Sequence, residues 1–485
     1  MAHHHGMEPL ATMAAQGETE HQPAREDRFG RMFPGLPGAV VSDQVIDVLG
    51  NPGGAMDSRN RDKNSRTVPA GQVIFGQFVD HDITFDTTST FEDVNDPNAI
   101  NNVRTPTLDL DCIYGAGPEA QPYLYSQSKP FNGVKLLTGA DMPDPSPLQN
   151  QDLLRAPTGR AIIGDPRNDE NGVIAQMQLA MIRFHNQTAE RLHEETPSLE
   201  GHDLFVEARR VTRWHYQWVV VNDFLVSMCG RPAVDRALAS RHVYKPDVPA
   251  IPIEFAVAAY RFGHSMVPMS LRVQETGKRH ELFGPILGNG FSPLSSEQAV
   301  VEWGALFPLP DDDRFERADR LDTLLASDLL DLPFIEAPDE RSLAKRNLLR
   351  SNSFRLPGGD KVAKAMGRPD KEIETVMRLI GRMTDRLITE DAPLWLYLLA
   401  EGEEVGRETR EDKFDKGEGL GPVGAQIVAE VLVGLLELDP RSYLAVEPGF
   451  KPSAQFDTVG KILVSTELAT GVEAAPGRRR SAPAK

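Results

Sequence analysis

The stretch at residues 203–229 constrains the fold more than any other. It carries Trp214, Tyr216 and Trp218, then a Val219-Val220-Val221 run. So apolar a segment reads as a deeply buried helix, which needs other helices around it. Residues 173–193 supply a partner, because Ile174, Met177, Met181, Phe184 and Thr188 fall near one stripe. Residues 254–266, 373–388 and 422–436 also read as helices, with Pro422 suited to a helix start. Strand-like alternation is scarce. The expectation is a mainly α fold in one large domain, with long loops rich in Pro and Gly. Loops of that length in a compact domain are often functional. Residues 1–40 read as a mostly disordered arm, 41–470 as the domain and 471–485 as a disordered tail.

With 485 residues, the chain can bury a large core without disulfide or zinc staples. A net charge of −19 argues against nucleic acid and anionic membranes as partners. Two cysteines, Cys112 and Cys229, are too few for a disulfide framework. No stretch approaches the ~20 apolar residues of a membrane span. No apolar run follows the first residues, so no signal peptide is expected. That favours the cytoplasm, with signal-free export left open. His3-His4-His5 reads as either a tag remnant or native sequence.

Five short segments carry candidate chemistry. In Gly76-Gln77-Phe78-Val79-Asp80-His81-Asp82, residues 77 and 81 share a helix face, and the two aspartates flank it on different sides. Gly164-Asp165-Pro166-Arg167-Asn168-Asp169-Glu170 precedes the 173–193 helix and, taken alone, is a capping turn. Arg261 and His264 are three apart on an apolar segment, where a lone histidine is more often a core residue. Asn347 and Arg350 are three apart on what reads as ordinary helix surface. Thr105, Thr107, Asp109 and Asp111 place oxygens at every second position, as a loop holding a hard cation such as calcium would.

Together and in this order, the five segments resemble the animal-type haem peroxidases of the peroxidase–cyclooxygenase superfamily, most closely a bacterial member. The resemblance runs from about Gly35 to Tyr443 and includes the Gly419-Leu420-Gly421-Pro422 stretch before an apolar helix. It implies a haem peroxidase domain over 41–470. It also implies a haem b cofactor, a structural Ca²⁺ and hydrogen peroxide as the oxidant, with a role in the response to oxidative stress. By the resemblance, His81, Gln77 and Arg167 are the distal catalytic group. His264 is the proximal iron ligand and Asn347 its hydrogen-bond acceptor. Arg261 and Arg350 pair with haem propionates, and Asp80 and Glu170 form ester links to the haem where these links form. Asp82, Thr105, Thr107, Asp109 and Asp111 are the calcium ligands, with Asp111 standing where the family commonly has serine.

The implied chemistry suits these residue types. A neutral histidine can take the peroxide proton and return it to the leaving oxygen. A fixed guanidinium stabilises charge on that oxygen, and lysine lacks the same planar fork. The resemblance implies an oxoferryl intermediate that oxidises small donors: halides, thiocyanate or phenols. Asn171 stands where myeloperoxidase has a methionine linked to haem, which makes chloride a poor donor here. Two rivals remain. The first is a haem-dependent fatty-acid dioxygenase of the same superfamily, whose radical tyrosine lies three residues before the proximal histidine; here that position is Arg261, with Tyr260 beside it. The second is a catalytically inactive, haem-free scaffold, against which the presence of His81, Arg167, His264 and Asn347 argues.

Overall fold

The computed structural model describes residues 24–468 except 60, 62, 90–93 and 311. It is mainly helical, and its strands form three two-stranded antiparallel ribbons. One ribbon pairs β1 (Asn64–Pro69) with a later strand and feeds directly into α1 (Ala70–Ile83). Pro69 sits at the entry of α1, and Ala70 N–H donates to the Glu316 carbonyl. This helix is buried along most of its length, Phe75, Phe78 and Val79 included.

The expected buried helix is present but interrupted. After α2 (Gly172–Glu195), α3 (Gly201–Val219) runs into a π-helical turn at Val220–Phe224 and then a short helix, Leu225–Cys229. Such turns insert a residue into the helical ladder and frequently mark functional regions. Phe224, in this turn, meets Phe75 edge-on, and Tyr216 packs edge-on against both Phe75 and Phe78. Gly76 sits where a Cβ would stand 3.0 Å from the Phe224 ring, so a larger residue there would have to push that ring aside.

Residues 254–266, expected as one helix, instead form a π-helical turn at Glu254–Ala258 and a 3₁₀ helix at Ala259–Met266. The break falls at Ala258, whose backbone (φ −127°, ψ −68°) is not helical. The helix expected at 373–388 runs over Asp370–Met383. It stops there because Asp385 and Arg386 take positive φ. The strand β2 (Arg317–Asp319), partner of β1, precedes α4 (Leu343–Ser353), α5 (Leu394–Glu404) and α6 (Pro422–Leu438). Among the described residues no helix is long and apolar enough to cross a membrane.

Residues 24–40, expected within a disordered arm, lie against the body. Phe29 is buried, Gly30 bridges to Pro252, and the buried Glu254 carboxylate accepts Met32 N–H at 2.9 Å and Phe33 N–H at 3.1 Å. A buried carboxylate needs donors, and the arm supplies them. The remainder of that arm (1–23) and the tail at 471–485 lie outside the described residues. Cys112 and Cys229 are both free and buried, and burial raises both thiols.

The Gly419–Pro422 stretch has a physical explanation. Glu401 of α5 reaches the start of α6 and accepts Val423 N–H at 3.1 Å and Gly424 N–H at 3.2 Å. A Cβ at Gly421 would stand 2.3 Å from the Glu401 side chain, so glycine permits this cap from a neighbouring helix. Burial outweighs these two donors and pushes the Glu401 carboxyl up to about 8. The folded state then keeps a proton that the unfolded state loses near the ordinary glutamate value of 4.5. Stability from this group is therefore complete below 4.5 and is lost as pH rises towards 8. Glu401→Gln keeps an acceptor oxygen but cannot ionise. Its urea midpoint should fall less between pH 5 and pH 8 than that of the wild type; equal falls would remove Glu401 as the source.

Candidate functional site

Helix α1 delivers Gln77, Asp80, His81 and Asp82 as one block. His81 is 6% exposed, and its Nδ1 lies 2.7 Å from Asn168 Oδ1. Its other nitrogen, Nε2, is 4.0 Å from a Glu170 carboxylate oxygen, which also accepts from the Gln77 amide. Asp80 accepts the Thr84 hydroxyl at 2.9 Å.

The 164–170 segment is a short 3₁₀ turn at Pro166–Asp169, started by Asp165, which accepts Arg167 N–H at 2.9 Å. The Arg167 guanidinium forks onto Asp165, donating at 3.1 and 2.8 Å, and reaches the His81 carbonyl at 3.0 Å. Its plane lies over Phe85, 4.2 Å from the ring centre. Burial opposes ionisation of Asp165, but the hydrogen bonds and charge of Arg167 outweigh it and hold this carboxyl below the usual range. The guanidinium is thus gripped on three sides.

In the 3₁₀ helix Ala259–Met266, residues three apart stack in one row. Arg261 and His264 therefore both reach Asn347 of α4. Arg261 donates to Asn347 Oδ1 at 3.2 Å, and Asn347 Nδ2 lies 2.9 Å from His264 Nδ1. This reverses the amide expected from the sequence, where Asn347 was to accept the ring N–H. Arginine offers only donors, so Arg261 claims the amide oxygen and leaves the NH₂ for the ring. Burial, with Arg261 beside it, pushes the His264 imidazole down to about 3, so the ring is neutral. Its Nε2 has no hydrogen-bond partner among the described residues. Burial, then Arg350, brings Arg261 down to about 10.

A cleft of about 180 Å³ lies between these groups. Asp80, Asp86, Arg167, Arg261 and Arg350 line it, with Phe29, Phe85, Ile253, Val257 and Phe354 as apolar walls. Gln77, His81, Glu170, His264 and Asn347 stand outside that lining. Arg350 is held by Asp86 at 3.2 Å and by Ser89 at 2.6 Å, neither of which the sequence singled out.

The alternating loop does converge. Asp82, Asp109 and Asp111 bring carboxylate oxygens within 4.8 Å of one another. Leu110 turns the chain there with φ +62°. Thr105 donates its hydroxyl to Asp109 at 2.7 Å and its N–H to Asp111 at 3.1 Å. Two buried oxygens, Asp82 Oδ1 and Thr107 Oγ1, have no partner. Burial and then Asp109 push Asp111 up to about 7, and burial with both neighbours raises Asp82 well above the carboxylate range. Orphaned hard oxygens in a crowded acidic cluster are the donor set a divalent cation satisfies. Among the described residues two arginines touch the cluster: Arg104, 3.3 Å from Asp111, and Arg441, 3.6 Å from Asp109.

The family described as animal haem peroxidase matches residues 88–286, which include the acidic loop, Arg167, Glu170, Arg261 and His264. The chorion peroxidase of Drosophila melanogaster is 33% identical over 192 residues, covering 37% of this chain and 23% of that protein. Across the first curated relatives, the chain spans only 12–23% of their length. Among solved structures, peroxidase A of Dictyostelium discoideum superposes with a TM-score of 0.54 at 16% identity, covering 91% of this chain and 92% of its own. A fatty acid alpha-dioxygenase of Arabidopsis thaliana gives 0.60 at 16% identity, covering 91% and 77%. Residues 88–286 thus match the animal haem peroxidase family, and the chain shares the mainly α-helical fold of these solved structures.

Proposed function

We propose that this chain is a haem-dependent peroxidase that reduces hydrogen peroxide and oxidises small donors. The observation that carries the reading is the pairing of His81 with Arg167, whose guanidinium is bonded to the His81 carbonyl at 3.0 Å and lines the cleft that Arg261 shares. The residues fit the cofactor. His264 has an unpartnered Nε2 to offer iron, Arg261 and Arg350 can take two propionates, and Asp80 and Glu170 can form ester links. When bound, haem supplies a redox centre that accepts oxidising equivalents from peroxide and passes them to donors.

His81 takes the proton that peroxide must lose and returns it to the departing oxygen. Arg167 stabilises charge on that oxygen with a guanidinium already fixed by Asp165 and Phe85, so little reorganisation is needed. Gln77 positions water or a small anion, and Glu170, bonded to it, aligns its amide. Asn171 uses its side chain to cap α2, accepting Val173 and Ile174 N–H at 3.1 and 3.0 Å. It offers no sulfur for a haem link, which favours bromide, iodide, thiocyanate or phenols over chloride. The acidic loop holds calcium, and through Asp82 that ion steadies the neighbouring His81.

The superposition on alpha-dioxygenases supports a second reading, fatty-acid oxygenation. Against it, Arg261 occupies the position three residues before His264. Tyr260 is buried and stacks on Phe255 at 4.7 Å.

Haem-loaded protein should show a haem Soret band that changes rapidly with one equivalent of hydrogen peroxide. His81→Ala should slow that reaction about 10²- to 10⁴-fold at unchanged haem content, and Arg167→Lys about 10²-fold. Rates within twofold of the wild type would sink these roles. Oxygen uptake with linoleate and no peroxide would move the assignment to the dioxygenase. Removing calcium with a chelator should lower the melting temperature by a few degrees, restored by Ca²⁺ and not by Mg²⁺. An unchanged melting curve would exclude a structural ion.

A further inference from the structure

We propose that Asn168 is a positioning residue that fixes the ring orientation and tautomer of His81, and that its own direction is set through Gln178 by the backbone carbonyl of Cys112. The proposal rests on the peroxidase reading for the purpose of the histidine, but its geometry stands apart. Four buried groups form a single line. His81 Nδ1 is 2.7 Å from Asn168 Oδ1, Asn168 Nδ2 donates to Gln178 Oε1 at 2.8 Å, and Gln178 Nε2 donates to the Cys112 carbonyl at 3.1 Å. Asn168, Gln178 and Cys112 are each 0% exposed.

The directions follow from the far end. A carbonyl only accepts, so Gln178 must turn its NH₂ to Cys112 and its oxygen to Asn168. Asn168 must then meet that oxygen with its own NH₂, leaving Oδ1 for His81. A neutral imidazole has one N–H and one lone pair. Nδ1 therefore carries the proton, and the Nε2 lone pair is left on the side of Glu170 and Gln77. Flipping either amide sets two acceptors, or two donors, face to face in a buried site, and such a clash is costly. The line begins beside the acidic loop, since Cys112 follows Asp111. His81 is thus tied to that loop twice, once through Asp82 in the chain and once through this relay.

The test uses the full chain labelled with ¹⁵N at histidine, haem-free, with His81→Gln to assign the signal. His81 should show a protonated Nδ1 and a bare Nε2. Asn168→Leu should give a mixture of tautomers or the opposite one. In the haem-loaded protein, Asn168→Leu should slow the reaction with peroxide about 10- to 100-fold and leave the reduction by donor unchanged. A wild-type His81 protonated at Nε2, or a pattern untouched by Asn168→Leu, overturns the proposal, and the wild-type result stands even if a variant fails to fold. The expected pattern without any reaction with peroxide would keep the positioning role and sink the peroxidase reading instead.

Discussion

Three carboxylates, two of them buried and one half-buried, cannot converge within 4.8 Å and all stay ionised without a compensating charge. Asp82, Asp109 and Asp111 impose that condition on the middle of the molecule. Asp82 is the last but one residue of α1, and its neighbour His81 faces the candidate chemistry. Whatever neutralises the cluster therefore also sets the depth and rotation of that helix. Arg104 reaches Asp111 and also Asp165, which grips Arg167, so the acidic loop is connected to both His81 and Arg167.

The cleft shows a second form of the same economy. Its arginines are held by internal partners: Arg261 on Asn347 and the Ala256 carbonyl, Arg350 on Asp86 and Ser89, Arg167 on Asp165. Buried guanidinium groups need such partners. A ligand bearing carboxylates would compete for Arg261 and Arg350, and a released Asn347 could then turn its oxygen to His264. The direction of that amide is thus a consequence of what Arg261 does.

Much of the site was legible because it is written in short spacings. Residues 77 and 81 share a face on any α-helix, and an alternating run of oxygen-bearing side chains needs only a loop to converge. The rest was not local. Asn168 lies within the 164–170 segment, but its contact with His81 crosses 87 residues, and Gln178 and Asp86 have no spacing to mark them. The row of Arg261 and His264 depends on a 3₁₀ helix, where an apolar pattern suggested an α-helix. Residues 24–40 looked unstructured because their partner, Glu254, lies more than 200 residues away.

The sequence by itself determined the mainly helical class, the burial of the segment at 203–229 and the set of candidate ligands and acid–base groups. Those follow from apolar periodicity and residue type, which act over one or two helical turns. Only the tertiary structure decided where the helix breaks into a π turn, how the Asn347 amide faces, which partners hold each arginine and how His81 is tied to Cys112. Hydrogen-bond direction in a buried network depends on every donor and acceptor in it, and those groups come from segments far apart in the chain.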